Sequence, residues 1–167
     1  MKTLLLMRHA KSGYPPDVAD DFDRPLSRRG RRDLPRLAEC LAAVEPPVER
    51  ICASPAVRAR ETAETMAAAL GLAGPALVFD DRLYLADAAT LRQVAAERLE
   101  GVSCGMVVAH NPGLEDWLAR LCGAAARLPT AAVAAVELPM ADWADLGEGN
   151  GRLLWLLVPR LLHAAED

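Results

Sequence analysis

Short apolar runs alternate along this chain with longer stretches in which apolar positions recur every three or four residues. Residues 3–8 (TLLLMR) are too few for a helix and almost unbroken in hydrophobicity, the pattern of a strand covered on both faces. A polar loop follows over 10–25, with Gly13, Pro15, Pro16 and four aspartates. Ser27 is the expected N-cap of a helix running to about Val44. Pro35 falls inside that helix, removes a backbone donor and predicts a kink or a restart near Asp33. Residues 48–53 read as a second strand. Ser54 as cap and Pro55 at the first helical position then open a helix to about Leu70, closed by Gly71. Residues 76–79 form a third strand, and Asp87 caps a helix whose Leu91, Val94, Ala95 and Leu99 share one face. Residues 105–109 are the fourth strand. Asn111 as cap and Pro112 start a helix that ends near Cys122 and Gly123. Two last strands, 132–138 and 153–159, flank a loop at 141–151. The order β-α-β-α-β-α-β-α-β-β belongs to a layered α/β domain with a largely parallel central sheet.

The composition narrows this picture. A chain of 17.9 kDa folds to roughly 8,000 Å² of accessible surface, which suits one self-sufficient domain over residues 1–167. No apolar run reaches bilayer length. The N-terminal run is cut by Arg8 short of a signal-peptide core, so the expected compartment is the cytoplasm and no membrane partner is expected. Four cysteines stand 12, 52 and 18 residues apart in apolar contexts, which favours buried reduced thiols over a disulfide or zinc frame. Charge is uneven: residues 1–60 hold 12 Lys/Arg against 8 Asp/Glu, and the remainder 7 against 15. The basic third attracts anions. Arg28, Arg29, Arg31 and Arg32 read as solvated helix arginines, and with no aromatics interleaved among them a nucleic-acid partner is not expected.

Two histidines stand apart from the third. His9 and His110 each follow directly on a hydrophobic strand (TLLLMR before one, GMVVA before the other), whereas His163 lies in a charged, alanine-rich tail and takes no role. Ligands of open α/β sheets bind at the carboxyl ends of strands. Arg8 adjoins His9, and an arginine closing a buried strand calls for an anion. Arg58 falls at the end of the first turn expected after Ser54, with Glu61 and Thr62 on its face to hold its fork. Two histidines, two arginines and two helix N-termini suit a tetrahedral dianion, whose oxygens guanidinium forks match in pairs. The histidines add the capacity for chemistry, because neutral imidazole is a nucleophile toward phosphorus near pH 7. A zinc or magnesium site on His9, His110 and aspartates lacks ligand spacing, and the arginines would repel the cation. No cofactor or metal is expected.

LLLMRHAKSG resembles the Arg-His-Gly signature of the histidine phosphatase (phosphoglycerate mutase-like) superfamily, with Ala10 where glycine is commonest. SPAVRARET resembles its second phosphate motif, and VVAHNPG its second-histidine motif. With LSRRG at 26–30 and DRLYLA at 81–86, the likeness spans about residues 3–123 and is nearest in style to the short SixA-like phosphohistidine phosphatases. The resemblance implies a three-layer α/β/α sandwich around a central, mostly parallel sheet. It also implies a metal-independent phosphohydrolase in which His9 carries a phosphohistidine intermediate. Arg8, Arg58 and His110, the last as imidazolium, would hold the equatorial oxygens, with Asn111 a further phosphate-binding residue. Lys11 and Ser12 are candidate contacts.

The likeness has one gap. Larger members place a glutamate general acid where this chain has Leu85; Asp81, Asp87 or no residue would fill that role here. Only 57 residues run from Ser54 to His110 inclusive, too few for a helical lid. An alkoxide leaving group needs a proton donor, whereas imidazole leaving from phosphohistidine needs far less help. The expected substrate is therefore phosphohistidine on a protein. The alternatives are a phosphatase for small phosphorylated metabolites with the same mechanism and, in another class, a noncatalytic phosphate- or phosphoprotein-binding module. Whether residues 141–151 cover the site is not readable from sequence.

Overall fold

The computed structural model describes residues 1–163; the side chain of His163 and residues 164–167 lie outside that description. In chain order the elements are β1 (Lys2–Arg8), α1 (Arg28–Ala42), β2 (Arg50–Ala53), α2 (Val57–Ala69), β3 (Leu77–Phe79), α3 (Ala88–Arg98), β4 (Cys104–Ala109), α4 (Gly113–Cys122), β5 (Val133–Leu138), β6 (Arg152–Leu157) and α5 (Pro159–His163). The strands form one sheet in the order β3-β2-β4-β1-β5-β6. β3, β2, β4 and β1 pair in parallel, and β5 runs antiparallel to both β1 and β6.

β1 sits inside the sheet because it is apolar on both faces. Leu4 and Leu6 point into a cluster with Leu91, Val94, Leu114, Trp117 and Leu118 under α3 and α4. Leu5 and Met7 point the other way, onto Leu34, Leu37, Ala59, Ala63 and Met66 of α1 and α2. Alternation of side chains across a strand thus feeds two cores from one tetrad, and the expected three layers form. Trp117 and Trp143 are fully buried, and Trp155 packs half-buried against the α1 side.

Ser27 caps α1 as expected, its hydroxyl accepting from Gly30 N at 3.1 Å. Asp87 caps α3 through Thr90 N at 2.8 Å. Gly71 and Gly123 follow α2 and α4 at φ 70°, left-handed positions that glycine adopts without a Cβ clash. Three expectations need correction. Pro35 does not interrupt α1; Pro35 and Arg31, whose carbonyl loses that donor, both lie on the exposed face, where water can replace it. α2 starts at Val57 behind Ala56, not at Pro55, and α4 starts at Gly113 behind Pro112, so neither Ser54 nor Asn111 acts as an N-cap. Of the four thiols, Cys52 and Cys104 are buried but Cys40 and Cys122 are only half-buried; none forms a disulfide.

The direction of β5 also settles the place of residues 141–151. Leu138 pairs with Lys2, so the loop leaves from the end of the sheet opposite His9. There Trp143 Nε1 donates to Val102 O at 2.7 Å, Arg92 donates to Leu146 O at 3.0 Å, and Gly149 and Gly151 donate to Arg120 O and Leu121 O. The loop closes the far end of the molecule.

Candidate active site

The strand order β2-β4-β1 sets three carboxyl ends side by side: Ser54 after β2, His110 after β4, and Arg8 and His9 at the end of β1. β4 enters the sheet between strands formed earlier in the chain, which is where open α/β sheets leave a crevice. His9 N donates to Ala109 O at 3.1 Å, Ser54 N to Val108 O at 3.0 Å, and Ala131 N to the carbonyls of Arg8 and His9. The backbone at Arg8, His9 and Ser54 is thereby held by the sheet.

His9 Nδ1 lies 2.8 Å from Ala10 O. A carbonyl only accepts, so Nδ1 carries the proton and Nε2 keeps its lone pair. Arg58 Nε donates to that lone pair at 3.3 Å. Burial above all, with Arg58, Arg8 and Arg24 adding to it against the Ala10 bond, pushes the His9 pKa down to about 4. The ring is neutral near pH 7. His110 stands 5.1 Å from it between ring centres. Its Nε2 lies 2.8 Å from Ser54 Oγ, and its Nδ1 accepts from Arg58 at 3.4 Å. Burial, then His9 and Arg58, push His110 down to about 3. Without an anion beside it, the His110 ring is therefore neutral near pH 7.

Arg58 is 3% exposed, and its fork is held by a residue that the sequence did not single out. Asp21 accepts from it twice, through its main-chain oxygen and through Oδ2 at 2.9 Å. The expected holders do other work. Thr62 donates to Arg58 O at 2.6 Å and accepts from Ala10 N at 3.0 Å, tying α2 to the turn behind His9. Glu61 binds Leu26 N and Arg31. Arg24 and Tyr84 also donate to Asp21. Arg24 foremost, with Tyr84 and Arg58, holds the Asp21 carboxyl down at about 2.

Arg8 lies at the sheet end with one guanidinium nitrogen on Leu128 O at 3.0 Å. Burial lowers its pKa and Glu115 opposes the shift. Asn111 lines the same cavity, but its amide donates to Glu115 Oε1 and Leu128 O, both at 2.9 Å. With both donors taken, it supports Leu128, and through it Arg8, and has no amide proton left for a phosphoryl oxygen. The helix N-termini contribute less than expected as well: Val57 N donates to Phe22 O and Leu114 N to His110 O.

These residues surround a cavity of about 410 Å³ lined by Arg8, His9, Arg58 and His110 at its floor and by Lys11, Ser12, Tyr14, Asp21, Arg24 and Leu85 nearer the mouth. Four cationic side chains face one carboxylate. Asp81 and Asp87 do not line it, and none of residues 141–151 does. Among the described residues no group of three or more His, Cys, Asp and Glu is placed to hold a metal ion. The sequence signal that could have found Asp21 is its i,i+3 spacing to Arg24 just before Pro25-Leu26-Ser27, but four aspartates in one loop hid it.

The sequence profile of the histidine phosphatase superfamily (branch 1) matches residues 4–113, a span holding Arg8, His9, Arg58 and His110. The chain belongs to this superfamily. The uncharacterized protein Rv1276c of Mycobacterium tuberculosis is 34% identical over 92% of this chain and 100% of its own length. Phosphohistidine phosphatase SixA of Escherichia coli K12 is 28% identical over 98% of each chain. A solved structure of the protein histidine phosphatase SixA complexed with tungstate superposes with a TM-score of 0.76 at 28% identity, covering 96% of this chain and 99% of that one. Membership in the superfamily supports a phosphatase activity for this chain. No helix of the described residues is long and apolar enough to cross a membrane.

Proposed function

We propose that this protein removes the phosphoryl group from phosphohistidine carried on a protein, through a covalent phosphohistidine on His9. The observation that carries this reading is the pairing of a neutral, tautomerically fixed His9 with a cavity that has no carboxylic acid to give. The Ala10 carbonyl aims the Nε2 lone pair of His9 into the cradle. Asp21, the carboxylate lining the cavity, stays ionised because its pKa lies at about 2. Leu85, which stands where the family resemblance would put a general acid, lines the mouth.

In the first step His9 Nε2 attacks phosphorus in line, the bond to the leaving imidazole breaks, and that imidazole takes a proton from water at the mouth. In the second step water attacks the phosphorus, the bond to His9 Nε2 breaks with its electron pair returning to the ring, the proton lost by the attacking water neutralises the hydroxide left by the first step, and inorganic phosphate leaves. Arg8, Arg58 and His110 offset the charge on the oxygens in both steps, since phosphoryl transfer is chiefly positioning and charge stabilisation. The guanidinium groups supply that charge, so the proposed activity needs no metal and survives chelation. An open rim supports a macromolecular substrate: Tyr14 and Leu85 are 78% and 56% exposed, and none of the described residues closes over them.

Hydrolysis rates across phosphohistidine on a phosphorelay protein, an aryl phosphate and a sugar phosphate test the reading. The expected order is phosphohistidine first, then aryl, then sugar phosphate. Acid-labile phosphate trapped on His9, and absent in His9→Ala, is expected by mass spectrometry. A sugar phosphate turned over faster than phosphohistidine would move the substrate to small metabolites. Tight phosphate binding without turnover would make the protein a binding module.

A further inference from the structure

The partner of each histidine decides what that histidine can do, and His110 has an unusual one. Ser54 is fully buried and its Oγ lies 2.8 Å from His110 Nε2. A hydroxyl both donates and accepts, so it can satisfy either tautomer of the ring. Each tautomer of the folded protein leaves one mismatch. With the proton on Nε2, Nδ1 accepts from Arg58 at 3.4 Å, but the Ser54 hydroxyl proton has no acceptor: the other contact of Oγ is the Ala56 amide, itself a donor at 3.4 Å. With the proton on Nδ1, Ser54 donates to Nε2 and is satisfied, but Nδ1–H then confronts the Arg58 guanidinium. The first form leaves one hydroxyl proton without a partner, whereas the second sets two donors face to face, so the first predominates until an anion is bound.

A tetrahedral dianion beside Arg58 removes the second mismatch and leaves the first in place. We propose that Ser54 is a positioning residue that lets His110 adopt the Nδ1–H tautomer when a phosphoryl group enters, so that His110 donates to a phosphoryl oxygen as a neutral ring. The proton count of the ring is unchanged: one proton leaves Nε2 and one arrives at Nδ1, both by exchange with water, and the anion selects between forms already accessible. The alternative, an imidazolium, would set a further cation against Arg8 and Arg58 within the same buried floor. Burial, His9 and Arg58 already hold the ring below the ordinary histidine range before an anion binds. The inference rests on the proposed phosphoryl cradle.

Nitrogen-15 spectra of histidine-labelled full-length protein at pH 7, titrated with inorganic sulfate, test it. Sulfate is a tetrahedral dianion that does not itself titrate near neutrality. Without sulfate, His110 Nε2 is expected to be predominantly of the pyrrole (protonated) type and Nδ1 of the pyridine type; at saturation the two exchange character. In Ser54→Ala the exchange is lost and kcat/KM falls about 100-fold, the scale for disabling one preorganised donor; Ser54→Cys, a weaker donor of similar size, is intermediate. Both His110 nitrogens of the pyrrole type at saturation, with His9 also perturbed, would overturn the tautomer proposal and leave the cradle standing. Exchange that persists in Ser54→Ala would overturn the part given to Ser54. Signals of both histidines unmoved by sulfate would overturn the cradle, and this proposal with it.

Discussion

His9 and His110 arrive at the same place by the same route, each one residue past a buried parallel strand, yet they are held differently. His9 leans on a main-chain carbonyl at 2.8 Å, a group that only accepts. His110 leans on a serine hydroxyl at the same distance, a group that does either. The first partner locks one tautomer and keeps one nitrogen unprotonated, which suits a nucleophile. The second leaves the ring able to answer an anion, which suits a ligand. Two identical side chains thus differ in what they can do chemically through the neighbours of their far nitrogens, although both are buried and hold the same strand position. Arg58 binds both rings, through Nε to His9 and through a terminal nitrogen to His110, so the two are read by one cation.

Removing each ring separates the roles most sharply. His9→Ala is expected to abolish turnover, a loss of about 10⁴-fold or more, with native melting behaviour, as measured by phosphate release. His110→Ala is expected to lower kcat/KM by about 100- to 1,000-fold while still giving acid-labile phosphate on His9; loss of that label would make the two rings equivalent and end the distinction.

Both rings are buried neutral, and this has a sign. Their pKa values in the folded chain, about 4 and about 3, lie below the 6.5 of a free histidine. The unfolded chain therefore takes up more protons, and stability falls as pH drops from 6.5 toward 4. Urea titrations across that window are expected to show the loss, and His9→Gln and His110→Gln each to lessen its slope. A slope equal to wild type in either variant would mean that ring is not held neutral by the fold.

Asp21→Asn tests the cation that joins the rings. It removes the carboxylate on Arg58, so inhibition by sulfate should tighten while kcat/KM drops about 10-fold, roughly what one charge-assisted hydrogen bond is worth. Steady-state kinetics with added sulfate read both. The smallest effect belongs to a residue far from the rings: Ser27→Ala should cost about 1 kcal/mol as a lost N-cap, read by urea denaturation, with unchanged kcat/KM.

Much of the fold was legible because each element announces itself locally. β1 reads TLLLMR as a strand apolar on both sides, and it occupies an inner position in the sheet with Leu4, Leu5, Leu6 and Met7 fully buried. The α1 and α3 caps are single residues acting on amides three positions away, and both were visible. α2 and α4 start later than their local signals predict because the candidate caps have other partners: Ser54 turns to His110, 56 residues on, and Asn111 to Glu115 within α4 and to Leu128. Capping is a local preference of under 2 kcal/mol, and a contact across the sheet can override it.

The sequence by itself determined the elements, the two strand-end histidines and the two arginines, since hydrophobic period and residue chemistry are properties of neighbours along the chain. Only the tertiary structure decided which strands lie adjacent, and therefore that Ser54 meets His110, that Asp21 rather than Glu61 holds Arg58, and that residues 141–151 close the opposite end. Ser54 and His110, 56 residues apart, meet because β4 pairs with β2. Asp21 and Arg58, 37 apart, meet where the loop after β1 folds against α2. The antiparallel course of β5 carries 141–151 away from both. Spacing along a chain does not encode that reach; the packing of a sheet between two apolar layers does.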